Sequence, residues 1–205
     1  MAPGRSAAGA GDAAPALRAA ILAGGAGSRM GGVSKAALEL GGRPLASHPI
    51  AAARLAGLAP TVVAKPDTEL PDLGCPVLAE PAMPRHPLAG IVAALERFEE
   101  PLVAIACDVP FVPAELLTEL SHCRARFAMP VDPRPQPLVA RYTPGLLPRL
   151  RRALDAEAPL VDLALSLGGD GLRAAELRGY GDPEAMFDNV NSPEDLRRVA
   201  SLLRA

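Results

Sequence analysis

Short aliphatic runs alternate with amphipathic stretches along the first two-thirds of this 205-residue chain, and that alternation limits the folds open to it. The runs "ALRAAIL", "TVVAK", "CPVLAE" and "PLVAIAC" are interleaved with "LASHPIAAARLAGL", "PLAGIVAALERFEE" and "PAELLTELSHC". Strand and helix in repeated alternation predict βαβ units, hence an α/β chain with three αβα layers and a mostly parallel central sheet. Ligands of such sheets sit at the carboxyl ends of the strands. Two strand ends carry chemistry: "AAIL" runs into a glycine-rich loop, and "PLVAIAC" runs into Asp108. Beyond Ser121 the segment "RFAMPVDPRPQPLVARY", with prolines at 130, 133, 135 and 137, predicts short edge strands and turns. The tail "NSPEDLRRVASLLR" has Ser192 as N-cap, Pro193 at the first helical position and acids in the first turn, and predicts a closing helix.

The length suits one well-buried domain, expected over 17–205, after an Ala-, Gly- and Pro-rich leader over 1–16 that is expected to be disordered. Hydrophobic residues make up 49%, a figure inflated by alanine, and no run of about 18 apolar residues could span a bilayer. The first residues have no leucine-rich apolar stretch and make a poor secretory signal. Three cysteines without a CxxC pair argue against a disulfide framework and against a zinc cluster, so a soluble protein of the reducing cytoplasm is expected. A net charge of −2, two tyrosines and no tryptophan leave neither the basic field nor the stacking platforms that a nucleic acid needs. No membrane partner is expected either.

The stretch "ILAGGAGSRMGGVSK", residues 21–35, holds five glycines and one of only two lysines in a chain with nineteen arginines. Glycines let successive backbone N–H groups turn inward and form a nest for phosphate oxygens. Ser34-Lys35-Ala36 lacks the Gly-Lys-Ser/Thr ending of a P-loop, which excludes a Walker-type NTPase. A dinucleotide fingerprint fails at Met30, its third glycine position. What remains is a phosphate nest flanked by a planar fork, Arg29, and a compact ammonium, Lys35. Asp108, at a strand's carboxyl end ahead of the turn "VPFVP", is the best candidate ligand for Mg²⁺, a hard cation that takes one or two carboxylates alongside substrate phosphates.

"LAGGAGSRMGGVSKAALELGGRPL" resembles the signature loop of the nucleotidyltransferases that activate small phosphorylated acceptors, and most closely that of the molybdenum cofactor guanylyltransferases. "HPLAGIVAAL", "ACDVPFVPAELL", "QPLVARY" and "FDNVNSPEDL" follow in the family's order, and the resemblance covers roughly residues 18 to 204. It implies a Rossmann-like fold of the nucleotide-diphospho-sugar transferase type and Mg²⁺-dependent transfer of GMP from GTP to the terminal phosphate of molybdopterin, with release of pyrophosphate. It also implies roles for residues. Leu22, Ala23 and Gly24 line the base or ribose; Gly25, Gly27 and Gly32 belong to the wrap around the phosphates; Arg29 and Lys35 neutralise the leaving groups. Asn189 and Asn191 contact metal and acceptor, with Asn191 completing the Mg²⁺ shell beside Asp108. Glu80 stands where the family often has an aspartate near the nucleotide. Molybdoenzymes or other cofactor-biosynthesis proteins are the implied protein partners.

The family's arginine pair after the acceptor strand is missing, and Arg134, Arg141 or Arg151 would have to supply cations to the acceptor. GTP is expected because the family's GTP users tend to show "LAGG", as here, where CTP users show "LAAG". A cytidylyltransferase of the same pterin, a relative acting on another phosphorylated small molecule, and an inactive nucleotide-binding regulator are the alternatives. His86 reads as a partly exposed turn residue without a catalytic role, and His48 and His122 as peripheral. Arg149, Arg151 and Arg152 read as a solvated helix face, and Lys65 has only a weak substrate role.

Overall fold

The computed structural model describes residues 17–24 and 34–203. The expected leader and the loop positions Gly25, Gly27, Arg29 and Gly32 lie outside the described residues. In chain order the elements are β1 (Arg18–Leu22), β2 (Glu39–Leu40), β3 (Arg43–Pro44), α1 (Ser47–Leu55), β4 (Ala59–Ala64), β5 (Val77–Ala79), α2 (Pro87–Phe98), β6 (Leu102–Ala106) and α3 (Ala114–His122). The second part carries β7 (Phe127–Pro130), β8 (Val139–Tyr142), α4 (Leu147–Asp155), α5 (Leu160–Leu167), β9 (Asp170–Leu172), α6 (Ala174–Leu177), α7 (Pro183–Met186) and α8 (Pro193–Leu202).

Seven strands form one sheet in the order β5-β4-β1-β6-β8-β7-β9. β5, β4, β1 and β6 run parallel to one another, β8 is antiparallel to both β6 and β7, and β9 is parallel to β7. Alternating residues of the central strands build the two outer layers. Ala19 and Ile21 of β1, Val62 and Ala64 of β4, and Val103 and Ile105 of β6 pack with α1 and α3. Ala20, Val63, Leu102 and Ala104 face the other way, toward α2, α4 and α5. Both faces are covered, so these strands carry apolar side chains on successive positions. The three-layer αβα fold with a mostly parallel sheet is the one read from the sequence.

The acceptor-side strands depart from expectation. β8 is not an edge strand but lies inside the sheet, with Tyr142 fully buried, its hydroxyl donating to Pro137 O at 2.9 Å and its ring 5.0 Å from that of Phe127. Prolines 133, 135 and 137 sit in the connection before β8 and remove no donor from its ladder, so the proline rule has no force there. The described sheet ends at β9, on the short run "DGL".

Chain direction sets the position of the ligand site. From β1 the chain moves outward to β4 and β5, then returns through α2 to place β6 on the other side of β1. A crevice opens at such a reversal, at the carboxyl ends of β1 and β6. A third apolar cluster closes this end of the molecule: Leu40 and Leu45 of the small hairpin meet Val190 and Val199. That hairpin turns through Gly41 and Gly42, whose φ values of 60° and 75° suit glycine.

Candidate active site

One pocket of about 220 Å³ lies across the carboxyl ends of β5, β4, β1 and β6. Leu22, Ala23, Gly24, Lys35, Glu80 and Asp108, six residues singled out from the sequence, all line it. Glu80 follows β5 and Asp108 follows β6, and the Glu80 carboxylate reaches back over β4 to lie against Gly24 at the end of β1.

Backbone ladders fix these ends. Ala23 N–H donates to Val63 O at 2.8 Å and Cys107 N–H to Leu22 O at 3.1 Å, so β1 stays in register with both neighbours up to its last residue. Glu80 N–H donates to Ala64 O at 2.9 Å and brings Glu80 level with Lys65, the residue that follows β4. Val190 N–H donates to Asp108 O at 3.0 Å, tying the Asn-x-Asn segment to the end of β6. Val190 is fully buried between the two asparagines and anchors them. Asn191 N–H is held by Asp195 Oδ2 at 3.0 Å, and Asp195 N–H by Ser192 Oγ at 3.1 Å, so the cap of α8 also positions Asn191.

Lys35 occupies a short 3₁₀ turn whose next residue, Ala36, is fully buried. Its Nζ donates to Asp108 Oδ2 at 2.9 Å and to Asn191 Oδ1 at 2.5 Å. Two oxygens, one of them a carboxylate, therefore converge on a single cation. Residues 73 and 156 positions from Lys35 meet there: Asp108, the Mg²⁺ ligand read from the sequence, and Asn191, which the family resemblance adds to it. Hard oxygen donors with few protein ligands suit that ion, and among the described residues no group of three or more His, Cys, Asp or Glu offers a denser site. Asn189 makes no hydrogen bond to Lys35 or Asp108 among the described residues.

At the other side Lys65 and Glu80 are buried, at 3% and 5% exposure. Lys65 Nζ donates to Pro81 O at 2.6 Å and to Pro84 O at 2.9 Å and lies 3.6 Å from Glu80 Oε1. Burial pushes the Glu80 carboxyl above the usual carboxylate range, and the Lys65 charge draws it partly back. Glycines make room for the carboxylate: a Cβ on Gly24 would fall 1.8 Å from Glu80 Oε1, and one on Gly90 3.0 Å from Oε2.

The sequence missed the closeness of Lys65 to Glu80; both strand ends were visible, but nothing in their spacing showed that they adjoin. His86 also lines the pocket and caps α2, its Nδ1 accepting from Leu88 N–H at 3.1 Å. His48, expected at the periphery, is buried beneath the small hairpin, its ring bonded to Leu40 O at 3.0 Å, and burial lowers its pKa. His122 is exposed. Arg149, Arg151 and Arg152 are exposed as expected. Two of the arginines considered for the acceptor are engaged elsewhere: Arg141 donates to Ser121 O at 2.7 Å, and Arg151 pairs with Glu96 at 2.8 Å. Arg134 is exposed. Cys107, next to Asp108, is buried, and burial drives its thiol pKa far upward, which makes it a poor nucleophile.

Residues 19–165 match the family model for the MobA-like NTP transferase domain. A molybdenum cofactor guanylyltransferase of Ralstonia nicotianae is 36% identical over 203 residues, which take in 88% of this chain and 94% of that protein. One from Cereibacter sphaeroides is 35% identical, over 90% of this chain and 95% of its own. Among solved structures, molybdopterin-guanine dinucleotide biosynthesis protein A of Archaeoglobus fulgidus aligns with a TM-score of 0.76 and 25% identity, over 92% of this chain and 99% of its own. The 2-C-methyl-D-erythritol 4-phosphate cytidylyltransferase of Thermus thermophilus, at a TM-score of 0.66 and 21% identity, covers 93% of this chain and all of its own, and shares the fold.

Proposed function

We propose, from the premise that this chain belongs to the MobA-like NTP transferase family and is a nucleotidyltransferase, that it transfers GMP from GTP to the terminal phosphate of molybdopterin with Mg²⁺ and releases pyrophosphate. The observation that carries the choice of nucleotide is the buried carboxylate of Glu80, which lines the pocket between Gly24 and Gly90. Guanine presents two adjacent donors on one edge, N1–H and the 2-amino group, and a carboxylate can accept both. Cytosine and adenine place a ring acceptor beside their single amine, and that acceptor would meet the carboxylate unfavourably. The names of the relatives at 36% and 35% identity support the same nucleotide and the pterin acceptor.

A phosphate monoester has a second pKa of about 6, so near neutral pH the acceptor already carries a nucleophilic oxyanion and needs no general base. One of its oxygens bonds to the α-phosphorus, the bond from that phosphorus to the bridging oxygen breaks, and pyrophosphate leaves. The protein's part is alignment and charge. Leu22, Ala23 and Gly24 bound the base and ribose, Glu80 holds the base edge, and Lys35 meets the phosphates as a point charge, with Arg29 and the glycines Gly25, Gly27 and Gly32 assigned to the same task. Asp108 and Asn191 would hold Mg²⁺, with Asn189 on the acceptor side. When bound, the ion screens the phosphates and steadies the leaving pyrophosphate. The reducing cytoplasm is the proposed compartment, in keeping with three unpaired thiols at Cys75, Cys107 and Cys123. Among the described residues no helix is long and apolar enough to cross a membrane. The test is pyrophosphate release with each of the four nucleoside triphosphates, Mg²⁺ and molybdopterin. Release is expected with GTP and only when the acceptor is present; equal release with CTP would reject guanylyl transfer as the specific reaction.

A further inference from the structure

The second of the chain's two lysines has three protons to place and almost no contact with water: the Lys65 side chain is 1% exposed. Two of its hydrogen bonds go to backbone, at Pro81 O and Pro84 O, and tie down the segment between β5 and α2. Toward Glu80 it offers charge at 3.6 Å, beyond ordinary hydrogen-bond length. Among the described residues no hydrogen bond of ordinary length reaches the carboxylate, which leaves its acceptor positions for another donor. The carboxylate is confined between Gly24 and Gly90, where any added methyl group would press on its oxygens. We propose that Lys65 is a positioning residue for nucleobase choice: it pins the Pro81–Pro84 segment and holds Glu80 as an anion aimed into the pocket, so that a base with two adjacent donors is preferred.

The proposal rests on the reading that the base lies against Glu80, and it deepens that reading by assigning selectivity to a residue behind the pocket wall. Among the described residues, Lys65 just after β4 is the charged group that faces Glu80, while Leu22 and Gly24 from the end of β1 and Gly90 of α2 line its other sides. Two further groups lie along the segment: Arg85, which lines the pocket and pairs with Asp67 at 2.5 Å in an exposed contact, and His86, whose Nδ1 accepts from Leu88 N–H. An arginine would keep the charge beside Glu80 but overfill a slot shaped for an ammonium, so its cost falls on packing.

The consequence for pH has a definite sign. Burial already raises the Glu80 carboxyl, and Lys65 restrains it. Without that charge Glu80 would take up a proton at higher pH, and a protonated carboxyl cannot accept both guanine donors. The variant to make is Lys65→Gln, which keeps a donor for the two carbonyls and removes the charge. Equilibrium binding of GTP and of inosine triphosphate, which lacks the 2-amino group, is measured with Mg²⁺ and without acceptor from about pH 6 to 8.5. The parent is expected to prefer GTP by about tenfold or more at every pH, the effect of one charge-assisted hydrogen bond. Lys65→Gln is expected to lose most of that preference near neutrality and to regain GTP affinity as pH rises. A variant that keeps the parent's preference and flat profile overturns the proposal, as does a parent with no preference for GTP over inosine triphosphate. If Lys65→Gln does not fold, Lys65→Gln/Glu80→Gln decides: folding of the double variant supports Lys65 as the counter-ion of Glu80, and failure of both reduces Lys65 to a pin for the backbone. A parent that releases pyrophosphate equally from CTP and GTP is a separate result and rejects guanylyl transfer itself.

Discussion

The two lysines stand at the two sides of one pocket and are held in opposite ways. Lys35 and Asp108 leave 18% and 17% of their side chains in water, whereas Lys65 and Glu80 leave 1% and 5%. The Lys35–Asp108 pair keeps contact with the solvent of the pocket, so a phosphate or a divalent cation can reach and compete for either partner. Removing one partner of a buried pair costs about 3 to 5 kcal/mol, because the other charge is left without compensation. On the proposed function the Lys35 side meets the phosphates and exchanges partners during a turnover, and the Lys65 side stays put. A chain that otherwise writes arginine uses lysine at both, in one place for a compact charge that can move between oxygens and in the other for a compact charge that fits a closed slot.

The largest effect should come from the exchanging side. Asp108→Asn is expected to lower kcat by on the order of 10³-fold, since an amide is a much poorer Mg²⁺ ligand than a carboxylate of the same shape. Circular dichroism should show an intact fold. Pyrophosphate release near the parent rate would take Asp108 out of the site. Next comes Lys35→Arg, which keeps the charge but widens it into a plane; misplacement of about 1 Å costs on the order of a hundredfold in rate, and the melting temperature should stay near that of the parent. Parent-like turnover would mean that any cation suffices there.

The fixed side should answer differently. Gly24→Ala puts a methyl carbon where Glu80 Oε1 now lies, 1.8 Å away, and must displace the carboxylate. A rise in KM for GTP of roughly tenfold, about 1.4 kcal/mol, is expected with little change in kcat. An unchanged KM would show that Glu80 does not touch the base. The smallest effect on turnover belongs to Lys65→Arg, in which the charge survives and the slot is overfilled. The loss should fall on stability, about 1 to 3 kcal/mol by overpacking, or a fall of roughly 3 to 10 °C in melting temperature. A large loss of kcat without a loss of stability would erase the difference between the two sides.

Much of this site could be read from the chain because its parts lie at strand ends. The continuous apolar runs of β1 and β6 marked both strands, and the glycines after Leu22 and the carboxylate after Cys107 marked where each stops. The closing helix was legible from Ser192 and Pro193, and its cap does hold Asp195. Lateral neighbours were not legible. Strand order decides that Lys65 adjoins Glu80 and that Lys35 meets Asn191, and neither local propensity nor spacing encodes that order. β8 departs from the sequence expectation for a related reason: a proline weakens a strand only where its nitrogen faces a neighbouring strand, and prolines 133, 135 and 137 precede the β8 ladder. The buried Val139, Ala140 and Tyr142 were the signal that it lies inside the sheet.

Because the chain has two lysines, selective ¹⁵N labelling of lysine yields two side-chain Nζ signals, assigned with the two Lys→Arg variants. Magnesium pyrophosphate, which carries no base, is the ligand that separates the two sides. Addition of magnesium pyrophosphate should move the Lys35 signal as its partners change from Asp108 and Asn191 to phosphate, and should leave the Lys65 signal in place. A shift at Lys65 equal to that at Lys35, or no shift at Lys35, would contradict a pocket with one exchanging side and one fixed side.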